Sequence, residues 1–313
     1  PRHEVTLSAY EIGKFEVTNA QVCGVYNWAK DQGYFSTLDA TTAQAFGEDL
    51  LLLGDGFCAI EYSGGVLSPE TRTGLPGSTA YSMATHPAVM LTWYGAAAYC
   101  NWLSEILGLA PVYDTATWTA DFANNGYHLP TEAQWERAAA WDGAKHWIYG
   151  CTADTLTGQN RANYLVDTTP TYANPFGLTT FPYTAPVGWF DGAHVSPNGN
   201  VQTLDSPSPA NCYDMSGNVW EWCHDWYLGD YYGAGGPPWP DPAGPAAASD
   251  RVMRGGGWDS QRADCRTAKR NAFAPSCAGF AIRFRPARTL MVVPAVPSFA
   301  INADATYTLE QDV

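Results

Sequence analysis

RVMRGGGWDSQRADCRTAKR, residues 251–270, sets Ser260 and Cys265 five positions apart, just behind three glycines and ahead of a run of basic residues. Consecutive glycines reach backbone conformations closed to other residues, so Gly255, Gly256 and Gly257 read as a place where the chain crosses close to its core. They are not a phosphate-binding loop, because no Lys-Ser or Lys-Thr follows at the required distance. Trp258, Asp259, Ser260, Arg262, Arg266 and Arg270 combine an aromatic anchor, a carboxylate, a hydroxyl and forked cations, the mixture typical of a recognition surface.

Upstream, LPTEAQWERAAA (129–140) opens a helix with a capping box, Thr131 followed by Gln134. The same grammar stands at Thr18 and Gln21, ahead of Val22, Val25, Tyr26 and Ala29 at helical spacing. Thr92 caps a third helix through Leu107, in which Ala96, Ala97 and Ala98 permit close packing. HEVTLSAYEIGKFEVT (3–18) alternates as a strand pair, and Ala88 to Leu91 and Tyr127 to Leu129 read as short strands. Residues 31–85 are rich in Gly, Ser and Thr and read as an insertion, not a separate domain, placed to line a cleft. Beyond 142 turns dominate, and long ordered loops call for a support such as a bound cation. In YDMSGNVWEWCHDWY (213–227), Asn218 and Glu221 are spaced so that their oxygens converge in a tight turn, with the carbonyls of Val219 and Cys223. His224 in this Trp-rich turn reads as a packed structural donor.

The order and spacing of these three segments resemble the formylglycine-generating enzyme, or sulfatase-modifying factor, family over roughly residues 3–288. The resemblance implies an α+β, C-type-lectin-like fold, loop-rich with short antiparallel sheets. Residues 1–288 would form that domain, and 289–313 a linker and the start of a following segment. It implies calcium at Asn218, Val219, Glu221 and Cys223, and again at Asn163, Tyr164, Asn174 and Phe176, where Asn174 stands in place of the family's Asp. In the family two cysteines hold copper(I); here Ser260 occupies the first position and Cys265 the second. An alcohol is a hard, very weakly acidic ligand that cannot replace a thiolate on soft copper, so copper is not expected. Cys265 would be catalytic only if an altered oxidase survives. Two further departures are Arg283 for the usual Gly of the terminal motif and Pro286 for a structural cysteine whose usual partner matches Cys100. The iron-dependent sulfoxide synthases of related branches need a histidine-bearing helical domain, and no such domain is expected here.

The net charge of −15 and pI near 4.6 exclude nucleic acid as a natural partner and disfavour anionic membrane surfaces. No apolar run reaches the ~18 residues that cross a bilayer. The eight cysteines lack zinc-type spacing, and one or more disulfides in an oxidising compartment is the expectation. The chain opens at Pro1 on a strand, which suggests that an upstream leader or domain has been removed, and an extracytoplasmic, secreted or cell-surface location is the expectation. The expected function is a calcium-stabilised ligand-binding or scaffold module for a protein, peptide or glycan. Its competitors are an oxidase with an altered metal site, a hypervariable binding protein of a diversity-generating retroelement, and a purely structural domain.

Overall fold

The computed structural model describes residues 4–75, 79–166, 176–178, 181–197, 199, 201–233, 239–290 and 307–309. β1 (Val5–Thr6) and β2 (Tyr10–Gly13) lead into α1 (Asn19–Asp31). Thr18 accepts from the Gln21 amide while the Gln21 side chain accepts from Thr18 N at 2.9 Å, so two otherwise orphaned donors are satisfied. Val22, Val25, Tyr26 and Ala29 are all buried, as their spacing requires.

The insertion is built of strands: β3 (Thr37–Leu38), β4 (Ala43–Ala45) and β5 (Glu48–Leu51) form one sheet, and two hairpins follow. These are β6 (Ile60–Ser63) with β7 (Val66–Pro69), and β8 (Thr71–Leu75) with β9 (Thr79–Ser82). Leu50, Leu51, Ile60 and Leu67 share one core cluster with α1 and with Trp93, Trp102 and Trp222, so this stretch is part of the same domain. α2 (Trp93–Ile106) starts at the Thr92 cap and packs so closely on the insertion that a Cβ on Gly95 would lie 2.1 Å from Leu50 O. α3 (Glu132–Ala140) carries the second capping box.

β10 (Trp220–Trp226) is an inner strand of a four-stranded sheet, between β12 (Arg251–Arg254), antiparallel to it, and β14 (Ile282–Arg283), parallel to it. β13 (Asn271–Phe273) forms the edge beyond β12. β11 (Trp239–Pro240) pairs with β1, while β15 (Ala287–Thr289) and β16 (Tyr307–Leu309) flank β2. Ala88 to Leu91 and Tyr127 to Leu129 make only the isolated bridges Leu51↔Leu91 and His128↔Ala287. In the first, the positive φ of Met90, 66°, breaks the extended run.

None of the eight cysteines forms a disulfide and seven of them are buried, which corrects the expectation of disulfides. The seven buried ones behave as small core residues; burial pushes the Cys23 and Cys58 thiols up to about 12. Two buried histidines carry a pH signature. Burial lowers His86 to about 3 and His128 to about 4, so both stay neutral in the folded chain while an unfolded histidine protonates near 6.5. Their contribution is intact above that value and is lost as pH falls from about 6.5 toward 4. Replacing His128 by Gln is expected to flatten the dependence of the urea midpoint on pH in this window, and an unchanged slope would contradict the assignment.

Candidate functional site

Gly255 and Gly256 have φ of 93° and 75°, and a Cβ on Gly256 would meet the Cys265 sulfur at 2.8 Å. The glycine run is therefore a crossing point, folded over Cys265. That thiol is buried beside Tyr149, Cys151, Leu156, Ala162 and Tyr164. Ser260 is held against the same run: its hydroxyl accepts from Trp220 Nε1 at 3.0 Å and Gly257 N at 3.1 Å, and donates to Asp259 Oδ1 at 3.2 Å. All three positions of a hydroxyl are thus taken. A copper(I) centre of the family type needs thiolates at both positions; only Cys265 supplies one, and although Cys151 lies in the same buried cluster, the 260/265 pair does not fit that ion.

The Asn218–Glu221 turn also departs from expectation. The Glu221 carboxylate receives a bidentate fork from Arg285, at 2.7 Å from Nε and 2.6 Å from the terminal nitrogen, and a third bond from Trp135 Nε1 at 2.9 Å. Asn218 turns elsewhere: its Oδ1 accepts from Ala185 N at 2.9 Å, and its Nδ2 donates to Glu16 Oε2 at 3.1 Å. Val219 is fully buried, and the Cys223 carbonyl accepts from Trp93 Nε1 at 2.9 Å. The two side chains diverge because Glu221 lies within β10, opposite Arg254 and Arg283, whereas Asn218, with a φ of 61°, lies in the preceding turn. In this arrangement the Asn218, Glu221 and Cys223 oxygens are each engaged by protein donors. A buried cluster surrounds it: desolvation raises Glu16 well above the carboxylate range and Asp214 to about 6, with Arg283 and Arg285 as counter-charges.

Asn163 is different. Its Nδ2 donates to Tyr183 O at 2.7 Å and its backbone oxygen accepts from Asn218 N, but its buried Oδ1 has no hydrogen-bond partner. An orphaned amide oxygen suits a hard cation. The Tyr164 carbonyl, expected beside it, accepts from Gln159 Nε2 at 2.8 Å. Phe176 lies with its ring against His86 and Trp189, and Asn174 falls outside the described residues. Among the described residues no group of three or more His, Cys, Asp or Glu is arranged to hold a metal. His224 is packed against Tyr113, Phe122 and Trp93, and burial holds it well below its usual pKa.

The expected ligand-facing wall is not one surface. Arg262 and Arg266 are exposed on the loop, but Arg270 grips Glu132 at 2.6 and 2.8 Å and the Leu228 carbonyl at 2.9 Å. That ties it to the start of α3. Trp258 is buried as the floor of an aromatic group with Phe57, Phe181, Tyr183 and Phe280, four residues that sequence reasoning missed. They come from separate loops and carry no periodic signal. A shallow cavity of about 480 Å³ lies elsewhere, lined by Tyr113, Asp114, Asp121 and Asn124 among others.

This fold defines a sulfatase-modifying-factor-like domain. A family model described as the sulfatase-modifying factor enzyme 1-like domain matches residues 1–290, and the chain belongs to that family. It is 32% identical over 208 residues to the serine/threonine-protein kinase pkn1 of Chlamydia pneumoniae, covering 66% of this chain and 25% of that protein. With the formylglycine-generating enzyme of Streptomyces coelicolor it shares 28% identity over 306 residues, 91% of this chain and 80% of the relative. Among solved structures it is similar to Treponema denticola variable protein 1, with a TM-score of 0.55, 25% identity, and coverage of 92% of this chain and 87% of that one. No helix among the described residues is long and apolar enough to cross a membrane.

Proposed function

We propose that the chain is a recognition or scaffold module that keeps the family body without copper-dependent oxidase chemistry. The observation that carries this is the Ser260 hydroxyl, held by Trp220, Gly257 and Asp259 where a second soft ligand would have to stand. Similarity to a kinase of which the chain spans a quarter supports a module that serves a larger protein. Similarity to a protein named as variable supports a binding role, and a hypervariable ligand-binding protein is the second reading it favours. Copper(I) titration against a competing chelator tests the proposal: no tight stoichiometric uptake is expected, and no oxidation of a cysteine-containing sulfatase peptide to its aldehyde. Uptake of one equivalent that Cys265→Ser abolishes would overturn it.

Calcium in this proposal is confined to Asn163, whose open, buried Oδ1 supports it. Binding to the folded state alone stabilises it by about 2.7 kcal/mol at a free concentration about 100 times Kd. The melting temperature should therefore rise with calcium, fall back with EDTA, and lose this response in Asn163→Ala. A calcium response that survives that substitution would remove Asn163 from the site.

A further inference from the structure

Four aromatic rings from three distant parts of the chain close a circuit on the surface. Their centroids stand 5.3 Å apart from Phe57 to Phe181, 5.7 Å from Phe181 to Trp258, 5.5 Å from Trp258 to Phe280 and 5.0 Å from Phe280 back to Phe57. Tyr183 buttresses it, 4.4 Å from Phe181 and 5.4 Å from Trp258. Phe181 is 40% exposed and Phe280 39%, so two faces of the circuit meet solvent above the buried indole. Arg72 fixes the frame from behind, its guanidinium bonding the carbonyls of Phe181 and Cys58, and its charge is met by Glu70 at 2.8 Å. Phe57 and Phe181 are thereby held before any ligand arrives.

Beside Trp258 stands Asp259. Its Oδ1 would lie 2.9 Å from a Cβ on Gly257, a position also 3.3 Å from the Cβ of Ala281, the residue next to Phe280. This half-buried carboxylate has no ion-pair partner among the described residues, and the charged group that acts on it is a second acid, Asp264. One of its oxygens accepts from Ser260; no other side chain among the described residues donates to the second. An aromatic circuit with an unpaired carboxylate at its rim, on a chain of net charge −15, is complementary to an organic cation.

We propose that this surface receives the ammonium group of a lysine side chain on a partner protein, an inference that rests on the recognition role proposed above. A carboxylate already engaged by the Ser260 hydroxyl and by a backbone N–H keeps acceptor capacity for a point-charge ammonium, whereas the planar fork of arginine needs both oxygens. The open face cannot enclose a small free ligand, which needs a concave pocket to bury most of its surface, so the cation must be delivered by a larger partner that supplies the rest of the contact. A purely apolar partner is disfavoured because it would bury Asp259 without a counter-charge.

The test uses short capped peptides identical but for a central lysine, norleucine or arginine, together with free tetramethylammonium, titrated into the full chain while the Trp258 indole resonance is followed. The lysine peptide is expected to give a saturable shift, with affinity about tenfold lower for norleucine, as the loss of a partly desolvated cation–π contact implies. Phe280→Ala should abolish the shift, and Asp259→Asn should weaken it severalfold, both at an unchanged melting temperature. Equal affinity for norleucine, or an unaffected, folded Phe280→Ala variant, overturns the proposal. Tighter binding of the arginine peptide overturns the ammonium assignment, and equally tight tetramethylammonium the assignment to a partner protein. Copper titration on the same preparation separates this failure from failure of the recognition role, since the latter alone predicts copper uptake.

Discussion

Ser260→Cys is expected to convert a chain without tight copper(I) affinity into one that takes up a single equivalent. Residues 260 and 265 both touch one glycine run: the Cys265 sulfur lies against Gly256 while the Ser260 hydroxyl bonds Gly257 N. A second thiol there supplies the soft donor that the hydroxyl cannot. The substitution also exchanges three good hydrogen bonds for weak ones, at a cost of about 1–3 kcal/mol, so the apo variant should melt lower and regain stability with copper(I). Competition with a chromophoric chelator reads the gain. A folded variant that takes up no copper would show that these two positions do not share a centre, and the loss of oxidase chemistry would then need a cause other than the hydroxyl.

Arg285→Met is expected to be the most damaging single change in the core. The guanidinium meets Glu221 with two bonds and also serves the carbonyls of Gly13, Lys14 and Tyr213, all in a region closed to water. Removing it leaves a buried carboxylate without its partner, a loss of about 3–5 kcal/mol. That is a large share of the ~5–15 kcal/mol that holds an ordinary domain together. Glu221→Leu combined with Arg285→Met should lose clearly less than the two single changes added, because the double variant buries no lone charge. Urea midpoints for the four proteins measure this. Additive losses would mean that the pair does not work as a unit, and would reopen Glu221 as a metal ligand.

Local features are legible in the chain itself. The capping boxes at Thr18 and Thr131 and the buried face of α1 follow from donors and apolar groups a few residues apart, where chain geometry alone decides the neighbours. The glycine run is legible for the same reason, since only glycine tolerates those φ values so close to Cys265. The partners of Asn218 and Glu221 are not legible in their spacing, because one residue lies in a turn and bonds Ala185 and Glu16 while the other enters a strand and meets Arg285. The insertion hides its hairpins behind Gly, Ser and Thr, whose strand content depends on pairing with neighbours and not on the residues themselves.

Chain order and residue type by themselves determined the family, the α+β character and the hydroxyl that stands at residue 260, because each is a matter of identity at a position. Only tertiary structure decided which charges meet and which surface is left to bind. Arg285 reaches Glu221 across 64 positions, and Phe57, Phe181, Trp258 and Phe280 come together from loops with no common period. Buried ion pairs and aromatic contacts depend on distances that close when the core desolvates, and no local pattern in the chain encodes those distances.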